Sequence, residues 1–199
     1  MTHSFEKIRQ ILMEMPRILD GGQNDLWDMY TKMAESVHNS SNDVKDIGDN
    51  VTMLNVNRHP DYNRQYVAHG EPGKPLLRME FKDHSFSNLS DKKGSYASLV
   101  HKGGYVKTSV SDKLKKIYDH ELNSNDYITS DANQYEGGKI IWKKIVKDFE
   151  NEGKSIYIHD GERLTKVSHQ DILNGEHSIW GTGSNFANTR LVVSNDSLS

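Results

Sequence analysis

Near Gly104 the chain changes its period, and that change limits the folds open to it. Upstream, four short runs have β character: VTMLNV at 51–56, RQYVAHG at 64–70, LLRMEF at 76–81 and YASLV at 96–100. They are separated by the turn-rich stretches HPDYN, EPGKP and SFSNLSDKKG. This spacing suits hairpins and predicts an antiparallel sheet. Downstream, Val110, Leu114, Ile117, Tyr118 and Leu122 recur at three and four positions. That is the stripe of an amphipathic helix over 110–122, with Ser109 or Ser111 as its cap. DYITS at 126–130 reads as a strand. A second helix opens at Gly137 and Gly138, buries Ile141, Trp142, Ile145, Val146 and Phe149, and turns its lysines mostly outward. KSIYIHD at 154–160 is a strand closed by an Asp-Gly turn, SHQDILNGEHSIWG is a short helix or ordered loop, and TRLVV at 189–193 is the last strand. Strand, helix, strand, helix, strand predicts parallel crossovers in this half. The expected class is therefore α+β, a mixed sheet flanked by helices.

Two further helices precede the sheet. Phe5, Ile8, Ile11, Leu12, Met15 and Leu19 share one helical face, with Pro16 ending or bending it. Leu26, Trp27, Tyr30, Met33 and Val37 mark a second helix over about 25–38. NSSNDVKDIGDN then reads as a loop. The expected organisation is a helical segment over 1–45, an α/β domain over 46–195 and a frayed tail over 196–199.

Composition narrows the environment. Among 199 residues, 34% are hydrophobic and the mean hydropathy is -0.78; no apolar run approaches the ~20 residues of a membrane span. The opening MTHSFEKIRQILMEMP mixes charges among its apolar residues, unlike a secretory leader. The expectation is a soluble, cytoplasmic protein with no membrane partner. The chain has no cysteine, which removes disulfides, thiolate metal sites and cysteine nucleophiles. Its 25 basic and 28 acidic residues leave a net charge of -3, so no global field attracts nucleic acid.

Several chemistries lack their signatures. The 10 histidines form no His-x-x-x-His pair, and His159, His169 and His177 fall in segments of different type, so no metal site is expected. No Gly-x-Ser-x-Gly elbow presents a serine nucleophile, and GTGSN at 181–185 reads as a connection. Lys139, Lys143, Lys144 and Lys147 share a helix with Trp142, but Asp148, Glu150 and Glu152 dilute the patch, and nucleic-acid binding is not expected. Anion binding has one candidate place, HKGGYVKTSVSDK at 101–113, where a glycine pair leads into a helix. There Lys107, Thr108, Ser109 and Ser111 offer a cation, hydroxyls and free N–H groups. An ordinary serine-capped loop is the competing reading of the same residues.

The succession YASLV, VSDKLKKIYDHEL, DYITSD, EGGKIIWKKIVKDF, KSIYIHD and TRLVV resembles the GNAT acyltransferase fold, and more narrowly GNAT-like proteins of bacteriophages. The residues that carry the resemblance are Ile117 and Tyr118, Ser130 and Asp131, Gly137 and Gly138 with Ile141, Trp142 and Lys143, and Ile156 and Tyr157. It covers residues 75–194 and implies a GNAT-like mixed central sheet with the first helices as an extension. It also implies acetyl-CoA as cofactor, held by a Gln/Arg-x-x-Gly-x-Gly/Ala loop at the start of the helix after the central strand. The matching stretch, Lys107, Thr108, Ser109, Val110 and Ser111 followed by Asp112, carries neither glycine, and side chains there hinder the close approach that glycine allows. For an enzyme, the resemblance implies acetyl transfer to an amine, with Tyr157 or Tyr118 as the acid that protonates the thiolate and Glu80 as the base. Two functions stay open. One is a GNAT-fold protein with a degenerate acetyl-CoA loop that binds a host or phage protein; the other is an active N-acetyltransferase. Trp27 and the methionines of the first helices offer a surface for a partner or for self-association.

Overall fold

Apolar residues at every second position build one face of the sheet: Leu77, Met79 and Phe81 on one strand and Tyr66 and Ala68 on its neighbour are all fully buried. The computed structural model describes residues 44–55, 62–69, 75–102, 110–130, 136–174 and 189–198. The helices expected over 5–19 and 25–38 lie outside them. In chain order the elements are β1 (Val44–Gly48), β2 (Val51–Asn55), β3 (Arg64–His69), β4 (Pro75–His84), a 3-10 turn (Ser87–Leu89), β5 (Gly94–Lys102), α1 (Ser111–Ser124), β6 (Tyr127–Thr129), α2 (Glu136–Asn151), β7 (Ser155–His159), β8 (Leu164–Lys166), α3 (His169–Asn174) and β9 (Arg190–Ser194). The strands form one mixed sheet in the order β1-β2-β3-β4-β5-β6-β9-β7-β8. β5 and β6 are parallel; the other described neighbours are antiparallel. The class is thus α+β, as the change of period predicts.

Both long helices cover the same face. Leu114, Ile117, Tyr118 and Leu122 of α1 and Trp142, Ile145, Val146 and Phe149 of α2 join Tyr66, Met79, Phe81, Ile128, Ile156, Leu191 and Val193 in one core. Tyr118 binds the two helices together, with its ring edge-on to Phe81 at 5.5 Å and to Trp142 at 5.4 Å. Each such side chain withdrawn from water contributes about 1.5–3 kcal/mol. On the opposite face a smaller cluster gathers Phe86, Leu89, Tyr127, Tyr157, Val192 and Leu198.

Four sequence expectations differ from the structure. Residues 44–48, read as loop, form the edge strand β1. They pair Val44 with Leu54 and Lys45 with Met53, across a tight turn in which Gly48, Asp49 and Asn50 all have positive φ. Lys113 and Lys116 of α1 hold that turn through the Asp49 carbonyl and carboxylate. Leu164–Lys166, unassigned in the sequence, adds the opposite edge strand β8. Ser111 does not occupy the cap of α1, which falls on Val110 with no side-chain hydrogen bond; Ser109 lies outside the described residues. The tail does not fray through Leu198, whose side chain is buried and whose N–H donates to the Tyr157 hydroxyl at 3.0 Å.

Candidate functional site

The parallel pair separates after three residues. β5 and β6 match only over Gly94↔Tyr127, Ser95↔Ile128 and Tyr96↔Thr129, while β5 runs on to Lys102. From Ala97 onward its β6-facing edge has no strand neighbour among the described residues. A β-bulge lies at the point of parting: Phe81 faces Ala97 but Glu80 faces Leu99, leaving Ser98 as the extra residue, with its hydroxyl donating to the Glu80 carbonyl at 3.3 Å. Bulges bend and twist a strand and recur next to functional sites. Because α1 follows β5 and α2 follows β6, both helices begin at this parted, carboxyl end, where ligands collect in sheets with parallel crossovers.

Across the outer face of this end lies a cationic and aromatic group. Arg190 starts β9, donates from Nη1 to the Ser130 carbonyl at 3.1 Å, and stands 5.6 Å from the centre of the Tyr96 ring. Ser130 closes the end of β6 onto β9, its N–H donating to the Leu191 carbonyl at 2.8 Å and its Oγ accepting from Leu191 N–H at 3.0 Å. His84 packs edge-on to Tyr96 at 5.8 Å and to Phe86 at 4.5 Å. Its Nε2 is buried with no hydrogen-bond partner among the described residues. Burial, with the charge of Arg190 and the nearness of His159, pushes its pKa down to about 4. His159 stacks on Phe86 at 3.9 Å. Its Nδ1 accepts from Gly161 N–H at 3.1 Å, so Nε2 carries the proton and donates to Asn88 Oδ1 at 3.1 Å. Both ring nitrogens are thereby engaged, and the imidazole is neutral. Among the described residues no three His, Asp or Glu side chains converge as a metal site would require.

Of the residues proposed from sequence, Glu80, Tyr118 and Tyr157 are not brought together. Glu80 lies on β4, on the face away from α1, in a buried ion pair with Arg78. The Gln65 side-chain oxygen accepts from Arg78 Nε at 2.6 Å. Tyr157 is on β7; four strand spacings of ~4.8 Å separate the two strands in the order β4-β5-β6-β9-β7, about 19 Å. The Tyr157 hydroxyl is tied to the tail by Leu198 N–H at 3.0 Å and Ser197 Oγ at 3.4 Å. Burial works to raise its pKa, but these hydrogen bonds take it below the ordinary tyrosine value. Tyr118 points into the core on the opposite face, its hydroxyl without a partner among the described residues, and burial followed by the charge of Glu121 raises its pKa. Val110 is buried at the cap of α1 and Ser111 is its first helical residue. Lys107, Thr108 and Ser109 lie outside the described residues.

A second polar cluster, also unforeseen, is structural. The Glu121 carboxylate, fully buried on α1, accepts from Arg64 Nε at 2.7 Å, Arg64 Nη2 at 3.1 Å, Tyr66 at 2.6 Å and Ser95 at 2.8 Å. Every acceptor direction of the carboxylate is engaged, which suits a strut between helix and sheet.

The chain matches no family model, no curated protein and no solved structure.

Proposed function

We propose that this chain is a protein-binding module on a GNAT-like fold, one that keeps the acyltransferase arrangement of strands and helices without a working acyl-transfer site. The observation that carries this reading is the dispersal of the three candidate catalytic groups. Tyr118 faces the helical core, Tyr157 is held by the C-terminal residues, and Glu80 is paired with Arg78 on a distant strand. Acid–base catalysis needs both groups within hydrogen-bond reach of one reacting centre. The succession of strand, α1, strand, α2, strand and late strand supports the GNAT-like assignment. The binding surface is the β5 edge from Ala97 onward, which offers main-chain donors and acceptors to an extended segment of a host or phage protein.

The alternative, an N-acetyltransferase, is favoured by one observation: α1 begins at the parted end of β5 and β6, and a helix start suits an anion such as the diphosphate of coenzyme A. Melting the protein with and without millimolar acetyl-CoA decides between them. A ligand that prefers the folded chain must stabilise it, by about 2.7 kcal/mol at a hundredfold excess over its Kd. The binding-module reading expects no shift. A saturable rise, together with acetyl transfer to an amine, would replace it with the enzyme.

A further inference from the structure

Arg190 is half-buried, and among the described residues no carboxylate lies within ion-pair distance of it. Its one described hydrogen bond goes to a neutral carbonyl, that of Ser130. A guanidinium withdrawn from water without a counter-charge is unfavourable, and its planar fork is shaped for a carboxylate. The acid of Asp160 does not serve: its Oδ1 accepts from the N–H groups of Glu162 and Arg163 at 3.0 and 2.7 Å. The histidines on this face do not compete for an anion as charges, since burial lowers both His84 and His159.

Arg190 also stands at a particular place. It reaches from β9 past the end of β6 to the ring of Tyr96, and Tyr96 is the last residue of β5 that pairs with β6. The guanidinium therefore sits at the apex of the opening, where the edge of β5 that has no strand neighbour among the described residues begins. Six residues, from Ala97 to Lys102, form that edge, and an extended segment of the same length would run about 20 Å.

On these grounds we propose that the segment bound along β5 carries an aspartate or glutamate at the end nearest Tyr96, and that this side chain pairs with Arg190. The proposal rests on the protein-binding reading and adds the chemistry of the partner to it. Main-chain pairing along Ala97 to Lys102 supplies affinity, and the Arg190–carboxylate pair sets register and selects acidic segments.

The test is selection of a displayed random heptapeptide library against the full chain, followed by titration of the synthetic peptides obtained. The expected result is a shared acidic position, at least a tenfold loss of affinity with Arg190→Gln, and a smaller loss with Arg190→Lys. Replacing the peptide's acid by its amide should cost the unmodified protein a similar factor, and cost the Arg190→Gln protein little more. The half of that arm measured on the unmodified protein needs no variant, so it holds even where Arg190→Gln does not fold. Peptides without an acidic preference, or indifferent to Arg190, overturn the proposal. If such peptides still slow amide exchange within 97–102, the protein-binding reading survives that failure. If no peptide is selected, both fall.

Discussion

Gly94 carries no side chain because the ring of Tyr127 occupies the place of one. A Cβ built there would lie 2.1 Å from Tyr127 Cε2, and that ring is fully buried, with its hydroxyl accepting from Phe86 N–H at 3.1 Å. Gly94→Ala should cost about 2–3 kcal/mol, the scale of overpacking a tight site, read as a lower urea midpoint at unchanged slope. In the sequence Gly94 is the last letter of a turn-rich stretch; nothing local marks it as the floor under a tyrosine 33 positions on. His84 makes a second residue-scale prediction. Its pKa is about 4 in the folded chain against an ordinary 6.5, because of burial, Arg190 and His159, with Tyr96 and Phe86 packed on its ring. Between those values the unfolded chain binds a proton that the folded chain refuses. This contribution to stability is complete above pH 6.5, falls as the pH falls, and is gone below pH 4. The full difference would be about 3 kcal/mol, and solvent screening of a half-buried ring reduces it to roughly 1–2 kcal/mol. Urea titrations from pH 7 to 4 should show the decline, and His84→Phe should flatten it; an unchanged slope would count against the account.

At the scale of elements, the helices were the most legible parts. The α1 stripe of Val110, Leu114, Ile117, Tyr118 and Leu122 is buried as its periodicity requires, and so are Trp142, Ile145, Val146 and Phe149 of α2. Glu121 was not legible. It follows the stripe as one more acidic letter, and only the approach of β3 and β5 supplies Arg64, Tyr66 and Ser95 to receive its charge. Glu121→Ala should destabilise the fold by about 3–5 kcal/mol, the usual cost of stranding the partner of a buried ion pair. Adding Arg64→Met to that variant should then cost less than it does alone; additive losses in denaturant titrations would argue against the coupling. The edge strands β1 and β8 escaped the sequence for a different reason. Val44, Lys45 and Asp46 are exposed, as are Thr165 and Lys166. Such strands join through main-chain bonds and need no apolar alternation to betray them.

For the whole molecule, local pattern and long-range pairing divide the explanation between them. The sequence by itself determined the α+β class, the order of strands and helices from residue 51 onward apart from β8, the faces that α1 and α2 bury, and the expectation of crossovers after β5 and β6. These follow from periodicity, which each segment carries internally. It also determined the absence of cysteine chemistry. Only the tertiary structure decided that β9 inserts between β6 and β7, that β5 and β6 part after Tyr96, and that Glu80, Tyr118 and Tyr157 point to different places. It alone set Arg190 beside Tyr96, 94 positions away in the chain, and Arg64 beside Glu121. The physical reason is that strand order and side-chain encounter are settled by packing between distant segments, for which no single stretch of sequence holds both partners.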